Sequence, residues 1–361
     1  MEAALYDPAG GFFATGGGPG RSGSDFLTSP EVGGLFGILV ARWVDDWWDR
    51  LGRPDPYLVV DAGAGRGQLA RAVRAASPRC SEALRYVLVE RSAALREEQH
   101  RALDLEPAEI ALGPAAAPEP GETPEPVPGH GPAFTPLSDL PAGPFTGVVV
   151  ANELLDNLPF RIVERSGDGW AEIRVGEGFG EVVVPADQAL TGEADALVRG
   201  VEVPEGARLP IHTAMREWLA EVGAVLRRGA VAVIDYGATV EDLLARGQEG
   251  WLRTYQAQGR GGSPLDAPGS QDVTADVCLE ALRRSATQAG LTVMAEATQA
   301  EWLRSLGLEP LVAEARAAWH ARSVNDLEAL KARSLVQEAD ALTDPAGLGA
   351  HRVVILGRGE R

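Results

Sequence analysis

At 361 residues, with 45% hydrophobic and 24% charged residues, the chain has the size and balance of a folded α/β protein and not of a disordered one. Its formal charge of −19, from 33 Lys and Arg against 52 Asp and Glu, repels phosphate backbones and anionic bilayers, so nucleic acid and membrane partners are not expected; the acidity suits general solubility or a basic substrate. Cys80 and Cys278 form no CxxC motif, the five histidines stand apart, no apolar run reaches the roughly 18 to 20 residues of a membrane span, and Met1–Gly11 does not read as a leader. These features predict a cytoplasmic protein with neither disulfides nor a metal.

In chain order, the glycine-crowded Gly10–Ser24 reads as a mobile loop, followed by Ser29 as a helix cap ahead of Pro30. A helix is predicted from Glu31 to about Leu51, with Leu35, Leu39, Trp43 and Trp47 along one stripe. The runs Tyr57–Asp61 and Tyr86–Glu90 bracket a helix over Leu69–Ala76, a βαβ unit whose strands should be parallel neighbours. Residues 106–144 are rich in Pro, Gly, Ala and Glu and read as a solvated loop, with strand character only at Glu109–Leu112. Thr146–Ala151 is a strand, and Phe160–Arg165, Trp170–Val175 and Glu181–Val184 alternate with turns as an inserted antiparallel ribbon. A helix over Thr213–Leu226 leads to the strand Ala230–Tyr236; helices follow at Val273–Ala289, Gln299–Leu306 and Val312–Ala341, with strands at Leu291–Ala297 and His351–Gly357. The alternation predicts a Rossmann-like, doubly wound α/β sheet with helices on both faces, residues 57–361, preceded by an N-terminal loop and helix over 1–56.

The chemistry concentrates at strand ends. Asp61-Ala-Gly-Ala-Gly-Arg-Gly67 lies where a strand gives way to a helix, the place where open α/β sheets bind ligands. Glycines let the backbone turn tightly and approach a ligand, while the Asp61 carboxylate can attract a cationic amino-acid moiety. A dinucleotide fingerprint starting at Gly63 would need glycine at 68, where Gln68 stands. The spacing Gly63, Gly65, Gly67 resembles instead the first motif of class I methyltransferases, and Glu90, ending the next strand, is placed to accept both ribose hydroxyls. At Ala151-Asn-Glu-Leu-Leu-Asp-Asn-Leu-Pro159 a buried strand ends in Asn152 and Glu153, followed by Asp156. The residues alone allow two readings there: polar groups facing a crevice, or acids attracted to a helix N-terminus.

Five blocks occur together and in order: Ser24-Asp-Phe-Leu-Thr-Ser-Pro-Glu31, Asp61–Leu69, Ala151–Pro159, Ile234-Asp-Tyr-Gly237 and Pro268-Gly-Ser-Gln-Asp-Val-Thr-Ala275. In this combination the chain resembles the MidA family of class I methyltransferases, relatives of the mitochondrial complex I assembly methyltransferase, from about Ala4 to Pro310. The resemblance implies S-adenosyl-L-methionine as cofactor and a protein substrate, in the mitochondrial member an arginine of a respiratory complex subunit. It also implies that Thr28, Ser29 and Glu31 cover the cofactor while Asp61, Gly63, Gly65, Gly67, Glu90 and Asn152 hold it. The sequence departs from the family pattern at Ser24, Leu154, Leu155, Asn157 and Cys278-Leu279.

A guanidinium acceptor is a planar fork of five donors, so paired carboxylates could orient one nitrogen, and Glu153 and Asp156 are the candidate catalytic pair. Tyr236 either lines the acceptor pocket or packs on the sheet. The function read from the sequence is therefore a protein methyltransferase, with arginine as the candidate acceptor; a small-molecule O- or N-methyltransferase and a non-catalytic assembly factor are the alternatives.

Overall fold

The computed structural model describes residues 1–15, 17, 28–113, 128–256, 259–321 and 326–359. Most of the glycine-rich loop, including Ser24, the Asp25, Phe26 and Leu27 that follow it, and residues 114–127 of the Pro/Gly-rich stretch lie outside the described residues.

The strands are β1 (Tyr57–Ala62), β2 (Leu84–Val89), β3 (Ala133–Leu137) and β4 (Phe145–Asn152), then β5 (Arg161–Ser166), β6 (Gly169–Val175), β7 (Glu181–Pro185) and β8 (Arg208–Ile211). They continue with β9 (Leu226–Asp235), the short β10 (Gly237–Ala238), β11 (Leu252–Gln256), β12 (Gly259–Arg260), β13 (Asp272–Ala275) and β14 (Val277–Cys278), and end with β15 (Thr292–Thr298) and β16 (Arg352–Arg358). Among the described residues the main sheet runs β15-β16-β9-β4-β1-β2-β3, parallel from β9 to β3, with β16 antiparallel to both its neighbours. β1 is buried on both faces, which is why it reads as an unbroken apolar run. Val59, Val148 and Val150 pack under the Gly34–Arg50 helix with Leu39, Trp43, Trp47 and Trp302; Val60, Val149 and Val231 pack on the opposite face against Leu219, Val222 and Leu282. The aromatic stripe of the first long helix is core, with Trp43 and Trp47 both in edge-to-face contact range of another indole.

Several sequence expectations need correction. The helix expected from Glu31 is two, Ser29–Val32 and Gly34–Arg50, because Glu338 of the Leu327–Thr343 helix accepts the Leu35 N–H at 3.0 Å and caps the second from outside. Thr28, not Ser29, is the cap residue of the first. Glu109–Leu112 belongs to a helical turn, Ala108–Leu112, whose single β-branched residue, Ile110, points outward. The stretch 106–144 also holds β3, which carries Pro136 at the open edge of the sheet, where a missing N–H is tolerated. The helix expected over Val273–Ala289 begins only at Leu279; before it β13 pairs with β11 and β14 with β10. The ribbon has a fourth strand, β8, beside β5. The long late helix is Leu308–His320 and Leu327–Thr343, with 322–325 outside the described residues.

Candidate active site

A cleft opens at the carboxyl ends of β1, β2, β3 and β4, walled by the Asp61–Gln68 turn, the Asn152–Leu158 elbow and the N-terminal residues Tyr6, Phe13, Thr28 and Glu31. Of the residues singled out in the sequence, Thr28, Glu31, Asp61, Gly63, Gly65, Glu90, Asn152 and Glu153 line it. Ser29, Gly67 and Asp156 do not.

The glycine turn is held by its own backbone. The amides of Gly63 and Ala64 both donate to the Val89 carbonyl, the Gly65 amide donates to Glu90 Oε2 at 2.9 Å, and Gln99 Nε2 donates to the Gly65 carbonyl at 2.7 Å. Gly65 has φ 52° and open space where a side chain would stand, so bare backbone faces the cleft. Gly67 serves another purpose: at φ 79° it starts the Gln68–Ala76 helix, and a Cβ there would come within 3.1 Å of Leu88 and 3.2 Å of Leu103. It lets the helix sit on the sheet.

Asp61 is buried and accepts the Tyr86 hydroxyl at 3.0 Å; burial pushes its carboxyl up to about 7, against the lowering effect of Tyr86. Glu90 accepts the amides of Ser92 and Gly65, and burial raises it above the ordinary range despite them. Ser29 stands behind the cleft, with its hydroxyl donated to Gln299 Oε1 at 2.9 Å and its amide aimed at Glu153 Oε1 at 3.3 Å. It supports Glu153 and is not a lining group.

The elbow after β4 is the strained part of the site. Glu153 has φ 50°, which costs a non-glycine residue on the order of 1–2 kcal/mol, and this geometry turns its carboxyl into the cleft. Burial, then the charge of Asp156, pushes Glu153 up to about 8. Asp156 lies in the following 3-10 turn, Leu155–Asn157, outside the cleft lining; burial raises it to about 7, and the Arg253 guanidinium opposes that rise. The Asn152 amide donates to Glu153 at 3.3 Å while its Oδ1 and one oxygen of Asp156 are buried without a hydrogen-bond partner. Tyr236 packs, flanked by the His351 ring at 4.2 Å and the Arg253 guanidinium at 4.7 Å.

Sequence reasoning missed Tyr6, Phe13, Ser138, Asp139, Trp218 and Glu221 among the lining residues, since none belongs to a motif. Tyr6 is tied in by its hydroxyl to the Asn157 carbonyl at 3.2 Å, with Arg91 over its ring at 4.7 Å. The position of Ser138-Asp139 just past an α/β strand was the available signal, but it required seeing β3.

A family profile described as "Putative S-adenosyl-L-methionine-dependent methyltransferase" matches residues 39–296. The Drosophila melanogaster protein named mitochondrial protein arginine methyltransferase NDUFAF7 homolog is 26% identical over 377 residues, covering 97% of this chain and 78% of that protein. Its Rattus norvegicus counterpart, protein arginine methyltransferase NDUFAF7, mitochondrial, is 29% identical, covering 86% and 70%. A crystal structure of a COG1565 superfamily member from Burkholderia thailandensis, bound to S-adenosyl-homocysteine, superposes with a TM-score of 0.77 at 28% identity, covering 99% of this chain and 86% of that one.

These relatives overturn the expectation of a cytoplasmic protein, because the eukaryotic ones are named mitochondrial. Two buried free cysteines cannot separate one reducing compartment from another. The site fits the cofactor: bare backbone at Gly65, a cleft-facing acid at Asp61 and an unpartnered acceptor at Asn152 suit a ligand with an amino-acid end and hydroxyls. The chain belongs to the MidA family of S-adenosyl-L-methionine-dependent methyltransferases, and it is a methyltransferase of that cofactor on a Rossmann-like sheet.

Proposed function

We propose that this methyltransferase modifies an arginine side chain of a protein, and that Glu153 is the group that meets the guanidinium. The observation that carries the reading is the half-buried Glu153 on a left-handed backbone at the wall of the donor cleft, with a second, buried acid, Asp156, close enough to raise it. The arginine methyltransferase names of the relatives point to the same acceptor.

In this reading Asp61 pairs with the amino group of the donor, Glu90 takes the ribose hydroxyls, and Gly63 and Gly65 offer backbone to the amino-acid end. Asn152 supplies an acceptor at the cleft wall. Thr28 and Glu31, with Tyr6 and Phe13, cover the cleft as an N-terminal flap; Ser29 contributes by donating to Glu153. S-adenosyl-L-methionine supplies an electrophilic methyl on a sulfonium. Glu153 orients one guanidinium nitrogen and accepts the proton that nitrogen sheds as its new bond to carbon forms. An approaching cation lowers the pKa of a carboxyl held near 8, so Glu153 ionises as the acceptor arrives. Asp156, which Arg253 helps to keep charged, steadies the cation from behind.

The test is transfer of labelled methyl from S-adenosyl-L-methionine to protein in a cell extract, with acid hydrolysis to identify the modified residue. Glu153→Gln is expected to lose at least 100-fold in transfer and Asp156→Asn about tenfold, with both retaining S-adenosyl-homocysteine binding. Label recovered on a residue other than arginine, or full transfer by Glu153→Gln, would defeat the assignment.

A further inference from the structure

The Ile234-Asp-Tyr-Gly237 block places a buried acid, Asp235, at the end of β9, outside the cleft lining and with no part in the chemistry above. Its carboxyl is 2% exposed, and burial, then the neighbouring Asp156 and Glu153, raises it well above the ordinary carboxylate range in spite of the backbone donors it accepts. Oδ2 accepts the amides of Leu155 at 2.8 Å and Asp156 at 3.3 Å, and Oδ1 accepts the amide of Tyr236 at 2.9 Å. Leu155 and Asp156 open the 3-10 turn of the elbow, and the residue in the capping position, Leu154, has no side-chain acceptor. Such first-turn amides need a partner when buried. Here the partner comes from a strand about 80 residues further along the chain.

The same elbow carries the left-handed Glu153, whose amide donates to the Ile234 carbonyl at 2.8 Å. Glu153 is thus clamped on both sides by consecutive residues of β9: its own amide by Ile234, and the turn that follows by Asp235. A left-handed conformation at a non-glycine residue persists only where its surroundings hold it. We propose that Asp235 is a positioning residue for Glu153, capping the elbow in trans so that the Glu153 carboxyl is held in the donor cleft. The inference rests on the role given to Glu153 above.

Two variants separate hydrogen bonding from charge and volume. Asp235→Asn and Asp235→Leu both remove the ionisable carboxyl and are close in size, but only asparagine retains an oxygen for the Leu155 and Asp156 amides. Amide hydrogen exchange followed by NMR in the presence of S-adenosyl-homocysteine is expected to be at least tenfold faster at Leu155 and Asp156 in Asp235→Leu, and within threefold of wild type in Asp235→Asn, with β1 unchanged in both. If Asp235→Leu does not fold, Asp235→Ala takes its place. Equal protection at these two amides in the leucine or alanine variant and the wild type would overturn the cap.

The link to Glu153 is read in the methyl-transfer assay. Asp235→Leu is expected to lower kcat at least tenfold with the donor KM within threefold, Asp235→Asn to recover most of that loss, and Asp235→Leu to add less than twofold in a Glu153→Gln background. Independent, multiplying losses would overturn the positioning role. If Glu153→Gln itself transfers at the wild-type rate, the reading of Glu153 fails, while the exchange measurement still decides the cap.

Discussion

If Asp61 pairs with the ammonium of the donor, as proposed, the donor site is sensitive to pH in a direction that can be worked out. The free protein holds this carboxyl near 7 because it is buried, with the Tyr86 hydroxyl as its polar partner. Only the ionised form can pair with the ammonium of S-adenosyl-homocysteine, and that pairing should return Asp61 to roughly the ordinary carboxylate value of about 4. At pH 8 about nine in ten molecules have Asp61 ionised and ready; at pH 5.5 only about one in thirty do. Affinity should therefore weaken about 30-fold between pH 8 and pH 5.5, close to 2 kcal/mol. Titration calorimetry across this range, in wild type and in Asp61→Asn, measures it. The asparagine variant should bind about 30-fold more weakly at pH 8 and show a nearly flat profile, which removes any contribution from Glu90 or Glu153. A flat wild-type profile, or the same slope in both proteins, would refute the assignment of the ammonium to Asp61.

Gly67→Ala should lower thermal stability by several degrees, through its positive φ and the approach to Leu88 and Leu103, and leave the affinity of the folded protein for S-adenosyl-homocysteine within about threefold; a melting and titration series checks both. Gly147→Ala should not yield folded protein, because a Cβ there would overlap the Leu58 carbonyl of the neighbouring strand; a soluble variant with wild-type circular dichroism would contradict this. Gln99→Ala, which removes the donor to the Gly65 carbonyl, should weaken S-adenosyl-homocysteine about tenfold by calorimetry. Finally, Asp61, Glu153 and Asp156 titrate near 7, 8 and 7 when folded and near 4 when unfolded, so the folded state holds protons that the unfolded chain has shed. Their stabilising contribution is complete below about pH 4 and is lost as pH rises through 7 to 8, so the melting temperature of the ligand-free protein should fall from pH 6.5 to pH 8; His212 and His351, held neutral when folded, lose their unfolded-state protons over the same window and oppose this by only about 0.4 kcal/mol each.

The legible parts of the fold were those in which one local pattern decides the outcome. β1 and the inner parts of β4 (Val148–Ala151) and β9 (Ala230–Ile234) are buried on both faces and appear as apolar runs, and the Asp61–Gly67 turn carries its own conformational requirement in its glycines. β3 was not legible: five residues including a proline, in a composition that reads as loop, become a strand only because β2 offers an edge. The β11–β13 and β10–β14 pairings were hidden for a related reason, since Val273, Thr274, Val277 and Cys278 fall on a helical spacing continuous with Ala281 and Leu282. At the site, Glu153 and Asp156 are three residues apart and read as a pair, but beyond the left-handed backbone at Glu153 only Glu153 lines the cleft. Spacing cannot reveal that inversion. Asp235 was visible as part of a block, yet its role depends on a register, Asn152 beside Ile234, that exists only between strands.

That register explains why the acids of this site can be buried at all. A carboxylate taken out of water needs donors or a cation, and the parallel strands β4 and β9 end side by side, leaving the amides beyond their tips without ladder partners. Asp235 takes three of those amides and is thereby fixed as a structural acid, committed and closed to substrate. Glu153 receives two weaker contacts, from Ser29 and Asn152, and keeps a face toward the cleft. In the proposed reading, the difference between a held acid and a working acid at this sheet edge is one of donor supply: three strand-end amides hold Asp235, while Glu153, with two longer contacts, is left to meet a cation, which a protein arginine would bring.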